Sequence, residues 1–205
     1  PWCIIGYTSL SLALNKLVPQ INAQIAWHPF ELNPAMPVEG QKLTEHLHEK
    51  YGSSRADIEQ ARNMITARGA ALGFQFNFKE DGRIYNTFNA HRLLYWSRQF
   101  DRQTELKLAL YNLYFTEGGN PGNSAQLIQT VAKVGLPTDE AQKILATDQF
   151  AQEVREEEAR YQAMGINAVP TFIINDKYKF TGGQPVDEFV ATLEKIVAEE
   201  NLSAQ

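Results

Sequence analysis

Near the start of the chain the apolar positions recur at helical spacing. In TSLSLALNKLVPQ (residues 8–20) Leu10, Leu14, Leu17 and Val18 share a face, which predicts a helix beginning just after Cys3, at about Ile4 to Thr8. The pattern then changes. AQIAWHPFELNP (23–34) sets Ile25 and Trp27, with Phe30 nearby, to one side and reads as a strand ended by Asn33-Pro34. From about residue 41 to Gly165 the period is helical again, over 41–50, 55–72, 87–99, 104–116, 123–133, 138–146 and 150–164. The breaks between these stretches hold Gly52-Ser53-Ser54, Gly73, Gly118-Gly119-Asn120-Pro121-Gly122 and Gly135-Leu136-Pro137, which is turn and cap chemistry. Asn123 or Ser124 can cap one helix and Thr138 another. Residues 73–78 alternate as FQFNF and suit a strand or an extended connector equally.

After Gly165 the strand signal returns. VPTFIIN (169–175) is a compact β-branched and aromatic run, Asn175-Asp176-Lys177 makes a turn, and YKFTGG (178–183) completes a hairpin. Val186, Phe189, Val190, Leu193 and Ile196/Val197 then form the apolar stripe of a closing helix. Strands near 25 and 172 need one another to bury their faces, so the long helical block is an insertion into an α/β unit. The domains expected are 1–40 with 163–205, and a helical insertion over 41–162.

Composition narrows the function classes. Acidic residues outnumber basic ones by 24 to 19, for a net charge of −5, with no basic cluster longer than two residues; nucleic acid is a poor partner for such a surface. No apolar run is long enough to span a membrane. Cys3 is the single cysteine, which excludes an internal disulfide scaffold and fits a reducing compartment, so the cytoplasm is the expected location.

Three places could carry chemistry. Cys3 lies where a helix starts, and the unpaired N–H groups there favour the reactive thiolate; Pro1 and Trp2 stiffen the turn before it. An isolated cysteine more often simply packs. Val169-Pro170-Thr171 puts a proline at the head of a strand, where it cannot donate to a ladder and where a cis peptide is affordable. A cis bond would turn the Val169 N–H and C=O outward, toward an extended peptide or a thiol ligand. His91 shares a helical face with Phe88, Leu94 and Tyr95, which suits a core histidine as well as a site residue. His28, His46 and His48 show no metal-ligand spacing beyond H-x-H in a polar helix, and no metal is expected. Glu156-Glu157-Glu158 reads as an exposed helical face. The 118–122 loop lacks the Lys-Ser/Thr of a phosphate loop.

PWC before a helix, GINAVPTFIIN before a hairpin and GGQPVDEF before the last helix form a combination. With HPFELNP and NTFNAHRL, it resembles the DsbA-like thioredoxin-fold proteins, and most closely the FrnE branch of dithiol–disulfide isomerases. The resemblance implies a thioredoxin fold with a large all-helical insertion, whose first strand would precede Pro1. It implies that Cys3 is the resolving cysteine of a Cys-Pro-Trp-Cys motif, with Pro1 and Trp2 as the tuning dipeptide and Val169-Pro170 as the cis-proline loop. His91 would fall in the helix that overhangs the active site. The expected activity is thiol–disulfide exchange on a protein disulfide or a small thiol, by a monomer or homodimer. No cofactor is implied, although glutathione can serve as redox partner or co-substrate. Two alternatives remain open: a glutathione-dependent enzyme like the 2-hydroxychromene-2-carboxylate isomerases and kappa-class glutathione transferases, which use serine in place of the first cysteine, and a redox-silent peptide-binding module.

Overall fold

A computed structural model describes residues 1–203. In chain order the elements are α1 (Trp2–Lys16), β1 (Gln41–Lys42), α2 (Leu43–Tyr51), α3 (Arg55–Ala71), β2 (Arg83–Ile84), α4 (Phe88–Ser97), α5 (Gln103–Tyr111), α6 (Ser124–Lys133), α7 (Thr138–Ala146), α8 (Ala151–Ala163), β3 (Thr171–Ile174), β4 (Tyr178–Thr181) and α9 (Val186–Ser203). A 3-10 turn at Arg98–Phe100 follows α4, and a π turn at Asn112–Thr116 extends α5. The chain divides into two compact units, residues 1–25 with 166–205, and residues 26–165. Residues 26–40 therefore sort with the helical unit. Among the described residues no helix is long and apolar enough to cross a membrane.

The first unit is a hairpin and two helices. β3 and β4 pair antiparallel, with Phe172 opposite Phe180 and Ile174 opposite Tyr178. The turn closes by Lys177 N–H donating to the Ile174 carbonyl at 3.1 Å. Asn175 and Asp176 take positive φ there, 51° and 53°, a conformation that short polar side chains tolerate. Phe172 and Phe180 stack at 5.3 Å, and Phe189 of α9 meets both rings at 5.0 and 5.6 Å. Ala13, Leu17, Phe189 and Leu193 form the buried centre of this unit, with Leu10, Leu14 and Val190 packed on it. The stripe expected for the last helix is thus the stripe that is buried, whereas Val18, expected on the α1 face, is 62% exposed beyond the helix end.

Two sequence expectations fail in this part of the chain. The first helix begins at Trp2 rather than near Ile4, because the Pro1 carbonyl accepts from Ile5 N–H at 3.2 Å and closes the first turn around Cys3. The strand expected over 23–34 does not form; those residues carry no regular secondary structure. Side chains take the place of a ladder. Gln103 accepts from Trp27 N–H at 2.9 Å and donates back to the Trp27 carbonyl at 2.8 Å, and Glu158 accepts from Glu31 N–H at 3.0 Å. Trp27 and Glu31 thus find backbone partners on side chains without a neighbouring strand.

The second unit is helical, apart from the short β1–β2 pairing that the sequence did not announce. Its core gathers Leu93, Leu94 and Trp96 of α4 with Leu106, Leu110, Leu127, Val131, Ala141 and Ile144. Asn123 caps α6, accepting from Gln126 N–H at 3.0 Å. Thr138 does not cap α7; it is the first helical residue, and Pro137 holds the cap position. The FQFNF run is neither helix nor strand. Its three phenylalanines still share a side, with Phe76 buried and 4.8 and 5.4 Å from the rings of Phe74 and Phe78.

Candidate active site around Cys3

Cys3 is the second residue of α1 and is half-buried, with its thiol in no disulfide. The helix continues inward through the fully buried Ile4 and Ile5, so its first turn is anchored from below. Gly6 stands three residues after Cys3, which on a helix is the same face about 4.5 Å further along the axis. A methyl group placed on Gly6 would sit 3.1 Å from Pro170 Cγ, 3.1 Å from Phe172 Cζ and 3.4 Å from Gly183 Cα. A methyl group on Gly183 would lie 3.3 Å from the Trp2 carbonyl oxygen and 3.5 Å from Gly6 N. The Pro170 loop and the residues after β4 therefore rest directly on the first turns of the cysteine helix.

The loop itself is tightly held. The Val169–Pro170 peptide bond is cis. The buried Pro170 accepts from Gly182 N–H at 2.8 Å, continuing the hairpin register past Thr171–Thr181, and Thr171 Oγ1 donates to the Ala168 carbonyl at 2.7 Å. Among the described residues, no hydrogen bond engages the Val169 N–H or C=O. The helix that starts with Trp2 and Cys3 thus meets the Val169–Pro170 loop through Gly6, one turn past Cys3, and that loop carries an open backbone pair at Val169.

His91 belongs to the helical unit and is buried in α4, only 9% exposed. Burial first, and then the positive charge of Lys107, push its imidazole down to about 3, against a hydrogen bond to the Phe30 backbone that favours the charged form. The ring is neutral at any physiological pH. It lines a small pocket with Trp27, Tyr95, Arg98, Gln103 and Lys107.

The acidic run is not the solvated face expected of it. Glu156 is exposed, but Glu157 accepts from both terminal guanidinium nitrogens of Arg98, at 2.9 and 3.0 Å, and bonds to His28. Burial alone would raise the Glu157 carboxyl, and the hydrogen bonds from His28 and Arg98 outweigh it and hold it below the usual range. Glu158 is 6% exposed and accepts from Arg155 and from the Glu31 backbone. A charge run on an α-helix carries 100° per residue, so neighbours in sequence cannot share one environment. That geometry was available from the sequence; the basic partners opposite were not.

Residues 1–194 match the DSBA-like thioredoxin domain. The chain belongs to that family. In the DsbA-like fold a thioredoxin unit carries a helical insertion, which accounts for a protein dominated by helix with two small sheets. The crystal structure of a probable DsbA oxidoreductase from Streptomyces coelicolor superposes with a TM-score of 0.89 at 26% identity, covering 97% of this chain and 86% of that one. A 2-hydroxychromene-2-carboxylate isomerase shares the fold at 14% identity, with a TM-score of 0.68 over 98% of this chain and 94% of its own. YwbO of Bacillus subtilis is 24% identical over 178 residues, 86% of this chain and 82% of that protein. Family and neighbours together support oxidoreductase or isomerase chemistry in general terms.

Sequence reasoning missed Gly6 and Gly183 as parts of this site. A signal existed for Gly6, since a glycine inside an otherwise apolar helical run is costly and calls for a packing reason.

Proposed function

We propose that the protein is a thiol–disulfide oxidoreductase of the FrnE type, with Cys3 as the resolving thiol of a Cys-Pro-Trp-Cys motif. The observation that carries this reading is the seating of the cysteine helix against the Pro170 loop, with the Val169 backbone pair unengaged alongside. The family match supports it.

In the forward direction the thiolate of the cysteine preceding Pro1 attacks one sulfur of a substrate disulfide. The substrate S–S bond breaks, a mixed disulfide forms, and the first substrate thiolate leaves and takes a proton from water. Cys3, as thiolate, then attacks the enzyme-side sulfur of the mixed disulfide and releases the second substrate thiolate. The substrate gains two electrons and the enzyme dithiol becomes a disulfide. Extended substrate backbone pairs with Val169, which orients the disulfide over the helix start. Two glutathione thiols return the enzyme disulfide to the dithiol form and leave as glutathione disulfide in the reduction cycle, and no metal or organic cofactor enters. The site is read as cytoplasmic.

A thiol count on the intact native polypeptide, unfolded before and after reduction and paired with its mass, tests the mechanism. Two thiols appearing on reduction support it. One thiol in both states overturns it in favour of a glutathione-binding enzyme or a redox-silent module. Replacement Cys3→Ser adds a kinetic signature: the variant accumulates the mixed disulfide with a protein substrate and turns over slowly. A variant with unchanged turnover removes Cys3 from the chemistry.

A further inference from the structure

We infer that Gly6 is a positioning residue that sets how deeply the Val169–Pro170 loop seats on the cysteine helix, and so selects extended peptide disulfides over small ones. The inference rests on the thiol–disulfide reading above and names the device behind its substrate class.

Glycine is the poorest helix former after proline, yet Gly6 sits inside α1 and is fully enclosed. No positive φ explains it, because the residue is ordinary right-handed helix and is absent from the positive-φ glycines. Space explains it. Its missing side chain is the room taken by Pro170 Cγ and Phe172 Cζ at 3.1 Å, closer than a side-chain carbon is comfortably approached. Neither neighbour is free to yield. Pro170 is a buried ring whose carbonyl is bonded to Gly182 N–H. Phe172 is fixed between Phe180 and Phe189 in the aromatic group of the first unit. Gly183 closes the same contact from the other side, against the Trp2 carbonyl and Gly6 N. Any Cβ at position 6 must therefore displace the loop as a body, by a few tenths of an ångström, away from the first turn.

The consequence falls on substrates that use the loop. An extended peptide disulfide must satisfy two constraints at once, pairing to Val169 and in-line approach of its sulfur to the thiolate. A small disulfide such as bis(2-hydroxyethyl) disulfide has no backbone and meets only the second. Loop displacement separates the two classes.

The test compares full-length wild type, Gly6→Ala and Gly183→Ala in the reduction of insulin and of bis(2-hydroxyethyl) disulfide, with thermal midpoints measured alongside. Gly6→Ala lowers the midpoint modestly while the protein stays folded, because crowding the Pro170 and Phe172 contact outweighs alanine's better helix propensity. It lowers kcat/KM for insulin about tenfold, scaled down from the roughly hundredfold that a 1 Å misplacement costs, and lowers the rate with the small disulfide far less. Gly183→Ala, built on a different element, gives the same split. A parallel fall with both substrates, or no change with either, in folded protein overturns the inference and leaves the functional reading standing. Wild type that reduces neither disulfide overturns the functional reading and the inference with it.

Discussion

Glu31 and Glu158, 127 residues apart in sequence, meet through a backbone bond: Glu31 N–H donates to Glu158 Oε1 at 3.0 Å. Arg155 sits between the two carboxyl groups, bonded to Glu31 and, at 3.0 Å, to Glu158, with its guanidinium over the Phe88 ring at 3.8 Å. The side chains of Glu31 and Glu158 are only 3% and 7% exposed. One Glu31 oxygen, Oε1, has no partner among the described residues. The segment that follows residue 26 is thereby fastened to α8.

Replacing Glu158 tests that fastening. Glu158→Ala leaves the Glu31 N–H without its acceptor, while Arg155 stays on the Glu31 carboxyl, and should cost about 1–3 kcal/mol, the scale of an orphaned buried donor. Glu158→Gln retains an acceptor for the N–H and should cost less than half as much. Urea denaturation of both variants at neutral pH checks the order. Equal losses would mean that charge, not the backbone bond, matters here.

Glu31 predicts a pH trend of its own. Burial, and then the nearby Glu158 charge, raise its carboxyl above the usual value despite the Arg155 bond. The fold therefore favours the protonated form. Stability from this group is full below the unfolded value of about 4.5 and is lost as pH rises through the higher folded value. Glu31→Gln, permanently neutral, should match wild type near pH 4, gain on it as pH rises through the folded value of Glu31, and keep that gain above it in the same denaturation assay.

His91 acts in the opposite direction. Its folded value of about 3 lies well below the ordinary 6.5, so the unfolded chain binds the proton that the fold refuses. The stability that a neutral His91 contributes is complete above pH 6.5 and is lost as pH falls from there toward 3, with a slope approaching about 1.4 kcal/mol per pH unit. The difference in unfolding free energy between wild type and His91→Gln, followed from pH 7 to pH 4, isolates this effect from the carboxylates. A flat difference would show that the ring takes up its proton equally in the folded and unfolded chains.

Phe189 is 1% exposed and contacts both Phe172 and Phe180. Phe189→Ala opens a cavity in the aromatic centre of the first unit and should cost about 3–5 kcal/mol. The Pro170 loop depends on Phe172 for support, so loss of near-ultraviolet circular dichroism should accompany a fall in disulfide turnover.

Asn123 and Thr138 are equivalent as sequence signals and differ in the structure. Asn123→Ala removes a cap bond to Gln126 N–H and should cost about 1 kcal/mol. Thr138→Ala removes no cap bond and should be neutral or slightly stabilising. Thermal melts of the two variants separate them directly.

Much of the helical layout was legible because it is local. α3, α6, α7 and α9 follow from apolar spacing and from the glycines, prolines and polar caps that end them, all within a few residues of the helix concerned. The β3–β4 hairpin was legible for the same reason, with its turn residues between two β-branched and aromatic runs. The contact of the Cys3 helix with the Pro170 loop was not local, since Pro170 lies 167 positions after Cys3. It was reachable only through the resemblance carried by several short motifs together.

Alone, the sequence determined the periods, the breaks, the position of the thiol at a helix start and the proline at the head of a strand. Tertiary structure decided what each polar group faces. Residues 23–34 looked like a strand because apolar residues alternated, but a strand is defined by its neighbour, and Gln103 and Glu158 bond this backbone instead. Glu156, Glu157 and Glu158 looked alike because charge runs usually face water, and only the fold places Arg98 and His28 against Glu157 and the Glu31 backbone against Glu158. Gly6 is a helix-weakening residue in sequence and a contact surface in space. In each case the deciding energy is desolvation of a polar group or exclusion of a methyl group, and both depend on atoms brought from far along the chain.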